Sequence, residues 1–250
     1  MCGRFTLRAS AKDIADLFSV EVQLELLPRF NIAPTQEVLA IRAIQGDAPA
    51  LSRQAVKLRW GLVPSWAEDP TIGNSLINAR AETVAIKPAF RKAFAERRCL
   101  IVADGFYEWR KTASGKQPYY VTRADGQPFA FAGLYERWRR GELAIESCTI
   151  VTTEANEFLR SLHHRMPVIL SPTQYDRWLD PSLVEPQQFQ SLLQSLSCDE
   201  LDMRPVSPVV NRPGNDSADC VAPFSAPPPE SAPKQKSKRT SETKTLFDLH

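Results

Sequence analysis

Apolar and polar positions follow more than one rhythm along this 250-residue chain. The first is helical: Ile14, Leu17 and Phe18 share one face, and Ser10 with Asp13 three residues on forms a capping box before them. A short helix is predicted there, after an opening strand. Pro88 followed by Phe90, Ala93 and Phe94 predicts a second helix with proline in its first turn. Residues 99–103 are a continuous apolar run, as in a buried strand, stopped at Asp104-Gly105. Residues 119–123 and 127–131 flank Asp125-Gly126, a dipeptide that closes hairpins, and residues 147–153 are rich in β-formers. Ser171-Pro172 opens a helix expected to end near Trp178, and Phe189, Leu192, Leu193 and Leu196 predict one more. Strands outnumber helices and mostly succeed each other locally. The expected class is α+β with an antiparallel-leaning sheet.

Composition adds a boundary. The chain is proline-rich from Pro223 to Pro233 and then Lys/Ser/Thr-rich, with no apolar pattern to pack. Residues 222–250 are therefore expected to be a disordered tail behind one domain of residues 1–221. A domain of that size can bury a core without disulfides or metals. The tail's bases (Lys234, Lys236, Lys238, Arg239 and Lys244) outnumber its acids, which leaves the domain without net positive charge. Composition alone makes no case for nucleic-acid binding, so any such contact needs a local patch. No apolar run reaches membrane-spanning length and no secretory signal is visible, so a cytoplasmic protein is expected. The 5 cysteines are odd in number and without close pairs, which suggests free thiols in a reducing compartment. With 3 histidines and no metal-ligand spacing, no metal site is expected, and no glycine-rich loop supports a nucleotide cofactor.

Cys2 is the sharpest chemical feature. Methionine aminopeptidases remove Met1 when the next residue is small, and removal would put a free amine and a thiol on adjacent carbons. An α-amine with a pKa of about 8 is partly unprotonated at neutral pH and attacks an aldehyde to give an imine. The thiol, with a pKa of about 8.5, then closes on the imine carbon to give a thiazolidine. An internal cysteine has no such option, because its nitrogen is an amide. On position alone Cys2 also suits a small buried residue on an edge strand. Glu108 lies between Tyr107 and Trp109 just after the apolar run. Desolvation there would raise its pKa and suit it to general acid work, whereas on an alternating strand it would simply face solvent. His163 and His164 stand beside Arg165, where either structural or catalytic roles are open.

Read together, MCGRF at the start, INARAET at 77–83, GFYEW at 105–109 and LHHRMPVIL at 162–170 resemble the SRAP (SOS response-associated peptidase) family. Phe30-Asn31-Ile32-Ala33-Pro34, the stretch from Trp60 to Trp66, and Pro205-Val206-Ser207 leading to Asn211 support the resemblance, which runs from Met1 to about residue 212. It implies a compact α+β domain whose mostly antiparallel sheets curl into a barrel-like core, with peripheral helices and one active-site groove. It implies binding of abasic sites in single-stranded DNA and cross-linking through the N-terminal cysteine, with no cofactor. The family's nucleophile falls on Cys2, its active-site asparagine on Asn78, its glutamate on Glu108 and its histidine on His163. His164 stands where many relatives have Asp, which changes the charge beside His163. Arg4, Arg80 and Arg165 lie inside the motifs and are candidates to hold phosphates; Trp66 is a candidate to stack on a base, or else packs in the core.

Three other readings remain. An N-terminal-nucleophile amidotransferase also begins Met-Cys-Gly, but this chain contains no Asn-Gly and has no room for a synthase domain. A cysteine peptidase, acting mainly in self-processing, would pair Cys2 with His163. A DNA-binding module without catalysis would use the arginines alone. In the tail, Thr245, Leu246, Phe247 and Leu249 resemble a short sliding-clamp-binding motif, with Thr243 in place of the usual glutamine. A monomer is expected, at the nucleoid of a bacterium or in the nucleus of a eukaryote.

Overall fold

Strand β6 (Arg98–Ala103) is buried along its whole length, and the fold is built around it. It lies between β3 (Glu37–Ile44) and β9 (Phe129–Arg140) in the computed structural model, which describes residues 2–44, 51–113 and 115–224. β3 pairs with β4 (Ser52–Trp60), and β4 runs parallel to β10 (Leu143–Glu154). β10 returns to pair with β9, so β10, β4, β3, β6 and β9 close into a barrel. Closure leaves no free edge among these strands. β5 (Asn78–Arg80) and β11 (Arg165–Pro167) both add to the far end of β10, and β12 (Ile169–Leu170) adds to β9.

A second, fully antiparallel sheet has the order β13 (Leu201–Pro205), β8 (Gly115–Arg123), β7 (Gly105–Thr112), β1 (Phe5–Leu7), β2 (Arg29–Ile32). Aromatic edges join the two layers: Phe5 meets Trp60 at 5.1 Å and Phe131 at 5.7 Å, and Phe106 meets Phe131 at 5.9 Å between ring centres. The helices are short and peripheral: α1 (Ala11–Phe18), α2 (Arg91–Glu96), α3 (Glu157–Arg160) and α4 (Tyr175–Leu179). The architecture is the expected α+β fold with a curled, mostly antiparallel sheet. Among the described residues no helix is long and apolar enough to cross a membrane.

Several local expectations hold. Ser10 and Asp13 form the capping box of α1, and β6 is the buried strand. A one-turn 3-10 helix at Pro172–Gln174 runs into α4, which ends at Leu179 beside Trp178. Others are corrected. β8 and β9 flank Asp125-Gly126 yet lie in different sheets, so this dipeptide turns the chain between layers and closes no hairpin. Asp125 instead accepts from the Gln127 amide at 3.0 Å and pairs with Arg123. The long hairpin is β9–β10, closed at Gly141, whose φ of 58° favours glycine. The second helix begins at Arg91, three residues after Pro88, because Phe90 is its N-cap. The helix expected near Phe189 is a single 3-10 turn, Pro186–Phe189, followed by further turns that still bury Phe189 and Leu192. The fold continues past 221, since Val206 bridges to Pro223 and the Phe224 amide donates to the Pro205 carbonyl at 3.1 Å. The rest of the expected tail, with Thr245, Leu246, Phe247 and Leu249, lies outside the described residues.

Candidate active site

The chain's first residues are threaded between two strands. β1 pairs with both β2 and β7, and just before it the Tyr107 amide donates to the Arg4 carbonyl at 3.0 Å. Glu108 is the next residue along β7, so strand register carries it toward Cys2. Asn78 opens β5, and its side-chain amide donates to the Cys2 carbonyl at 2.8 Å. The other side-chain atom, Asn78 Oδ1, is buried with no hydrogen-bond partner among the described residues. A buried acceptor left in that condition costs free energy unless something fills it.

Electrostatics ties Cys2 to Glu108. Cys2 is fully buried, and its thiol is pushed well above the ordinary range by that burial, with the Glu108 charge adding to the effect. In the encoded sequence Met1 precedes Cys2, and the Cys2 nitrogen is an amide until Met1 is removed. Glu108 is 4% exposed, and burial raises its carboxyl while a hydrogen bond with the Trp109 backbone works in the opposite direction. The outward-facing alternative for Glu108 is thereby excluded.

His163 sits between α3 and β11. Its Nδ1 accepts the Arg165 amide at 2.9 Å, so in the neutral ring the proton is on Nε2. Burial pulls its pKa down to about 4, and the charges of His164 and Arg165 push the same way. His164 is exposed and stacks on His163 with ring centres 4.3 Å apart. Glu108 and His163 line one cavity of about 770 Å³, together with Trp109 and Asn211. Cys2 and Asn78 do not line it; Glu108 is the link between the two groups.

The expected phosphate-holding residues divide into two groups. Arg165 is buried, and its guanidinium makes a two-pronged pair with Glu82 at 2.7 and 3.0 Å and donates to the Thr152 carbonyl at 2.6 Å. It thereby fastens the segment after Asn78 to the strand after His163. Arg4 donates to Asn31 Oδ1 at 2.8 Å and to the Val210 carbonyl at 2.9 Å. Both side chains are engaged by internal partners in this structure. Arg80 and Trp66 are exposed, Trp66 by 59%, which removes the core-packing alternative for the indole.

Sequence reasoning missed other groups at the cavity. Arg110, Lys111, Lys116 and Arg160 line it and supply the local positive charge that composition lacked. The sequence signal was available: Arg110-Lys111 directly follows the GFYEW motif. Among the described residues no cluster of three or more His, Cys, Asp or Glu is placed to hold a metal, and all five cysteines are free.

The SRAP family model, SOS response associated peptidase, matches residues 1–213. The abasic site processing protein YoaM of Bacillus subtilis is 45% identical over 226 residues, 88% of this chain and 97% of its own. Abasic site processing protein YedK of Escherichia coli is 30% identical, covering 89% of this chain and all of its own. Abasic site processing protein HMCES of Gallus gallus is 28% identical, covering 88% of this chain and 72% of its own. A crystal structure of a Bacteroides thetaiotaomicron protein superposes with a TM-score of 0.78 at 26% identity, covering 89% of this chain and all of that one.

Proposed function

This chain belongs to the SOS response-associated peptidase family, and we propose that it processes abasic sites in single-stranded DNA by capturing them covalently through Cys2 after loss of Met1. The relatives named abasic site processing proteins support the lesion as substrate. The observation that carries the chemistry is the pinning of Cys2 by Asn78 beside a buried carboxyl at a cavity edge.

An abasic deoxyribose is mostly a closed hemiacetal, so ring opening must first expose the C1′ aldehyde. Glu108, with its raised pKa, is suited to shuttle the protons of ring opening and of dehydration to the imine. His163, neutral at physiological pH, offers an Nε2 proton to a sugar oxygen. The free Cys2 amine adds to C1′, water leaves, and the thiol adds across the imine to close the thiazolidine. Aldehyde and aminothiol condense with release of one water and no change of oxidation state. Asn78 holds the backbone of the attacking residue and keeps Oδ1 available to a donor on the sugar. Trp66 and Arg80 are the exposed motif residues for a flanking base and phosphate.

A thiolate–imidazolium pair is the opposite of what these surroundings favour, since burial raises the Cys2 thiol and lowers His163. That weighs against a conventional thiol peptidase. Incubating the tag-free protein with an oligonucleotide carrying one abasic site should give a heat-stable shifted band on a denaturing gel. Cys2→Ala should abolish it; a covalent band of equal intensity from that variant would overturn the proposal.

A further inference from the structure

Two lysines face each other at the rim of the cavity. In the β7–β8 ladder Lys111 is directly opposite Lys116, and both are exposed. Like charges placed opposite on neighbouring strands disfavour the hairpin, and no ion pair among the described residues neutralises either one. Arg110 donates to Ser161 Oγ at 3.4 Å and lies over the Tyr119 ring, again without a carboxylate. Arg160, whose guanidinium donates to the Ala155 carbonyl at 3.3 Å, completes the group. These cations lie to one side of Glu108. Arg4 bonds to Tyr107 in an antiparallel register, so Cys2, two residues earlier, is carried to the Glu108 level of β7, whereas Lys111 is three residues beyond Glu108, roughly 10 Å along the strand.

From this asymmetry we propose that the Lys111–Lys116 pair is a phosphate grip that holds the single-stranded DNA backbone on one flank of the lesion only. The proposal rests on the reading of the cavity as a site for abasic DNA and assigns a polarity to it. A polyanionic backbone is the occupant because it neutralises both lysines at once, and its binding releases counterions and so falls with salt. The strained placement of the two charges is explained by the partner they await.

The test compares the full chain with Lys111→Gln/Lys116→Gln and with Lys57→Gln/Lys87→Gln, which removes the same charge from exposed sites outside the cavity. Anisotropy with an undamaged single-stranded oligonucleotide gives the slope of log affinity against log salt. Each single-strand phosphate contact contributes about 0.7 to that slope, so the hairpin variant should be shallower by about 1.4 and the control unchanged. Its melting temperature should equal or exceed wild type, because an opposed like-charge pair is relieved. Next, abasic oligonucleotides with a long flank on only the 5′ or only the 3′ side are cross-linked at sub-saturating protein. The hairpin variant should be slowed on one of the two and match wild type on the other. An unchanged slope, an equal loss in the control, a lower melting temperature, or equal slowing on both oligonucleotides would overturn the grip. The slopes need no covalent step, so a wild type that binds with the expected slope difference yet never cross-links would refute the covalent reading and leave the grip standing.

Discussion

Asn31→Asp replaces one amide nitrogen with oxygen and keeps the shape of the side chain. Asn31 is fully buried, and its Nδ2 faces the carbonyls of Val210, Arg212 and Asn215 at 3.1, 3.0 and 2.7 Å, while Oδ1 accepts from Arg4. This side chain clasps the segment after β13, which carries Asn211 to the cavity wall, onto the strand that leads back to Cys2. The aspartate loses both donated hydrogens and sets a carboxylate oxygen against three carbonyls. A neutral hydrogen bond is worth about 0.5–1.5 kcal/mol net, and a buried group left unsatisfied costs about 1–3 kcal/mol. With a new Arg4–carboxylate attraction offsetting part, the loss should be about 3–5 kcal/mol. In a domain of this size each kcal/mol moves the midpoint by roughly 2–4 °C, so melting should fall on the order of 10 °C. Calorimetric or circular-dichroism melts read the fall directly, and cross-linking below the new midpoint should also slow as Asn211 and Cys2 loosen. An Asn31→Asp protein melting within about 2 °C of wild type would refute the clasp.

Glu108→Gln should separate stability from activity. A carboxyl whose folded pKa lies above its unfolded value disfavours the fold once ionised, so the penalty is absent below the unfolded value of about 4.3. It grows as pH rises to the folded value and then stays constant. The glutamine should therefore stabilise the protein at neutral pH, by about 1.4 kcal/mol for each unit of that difference, and not at pH 3, as urea midpoints across that range will show. The same change should slow cross-linking about 100-fold or more; a variant that is faster, or less stable at pH 7 than at pH 3 relative to wild type, contradicts the assignment. Arg98 is buried, still charged with its pKa lowered to about 10, and donates to the carbonyls of Phe94, Ala95, Trp178, Asp180 and Leu183. Arg98→Met should cost about 3–5 kcal/mol in urea unfolding, and Arg98→Lys should recover little, because one ammonium cannot reach carbonyls spread around a planar fork. Near-native stability in either would contradict that role.

What the sequence disclosed follows from the range of the forces involved. The capping box of α1 and the apolar run of β6 are local and were legible. Asp125-Gly126 misled because turn chemistry is local while the destination of each flanking strand is set by distant partners: Leu201–Pro205 for β8 and Arg98–Ala103 for β9. The true hairpin at Gly141 lies within a charged Arg-Gly-Glu stretch with no standard hairpin dipeptide. In the site, Cys2, Asn78, Glu108 and His163 could be nominated from their motifs, since each sits in a short distinctive string. The internal partners of Arg4 and Arg165 could not be read, because a guanidinium's contacts depend on residues distant in sequence: Arg4 meets Asn31 and Val210, and Arg165 meets Glu82. Lys111 and Lys116 became a pair only when the hairpin register set them opposite one another.

The most direct test is mass spectrometry of the N-terminal peptide released from protein cross-linked to abasic DNA, with and without borohydride. The peptide should begin at Cys2 and carry the sugar–phosphate remnant with loss of one water, and borohydride should add no hydrogen, as expected for a closed thiazolidine. A cross-linked peptide that retains Met1, a remnant attached to a lysine side chain, or an adduct that survives only after reduction would contradict capture by the paired amine and thiol.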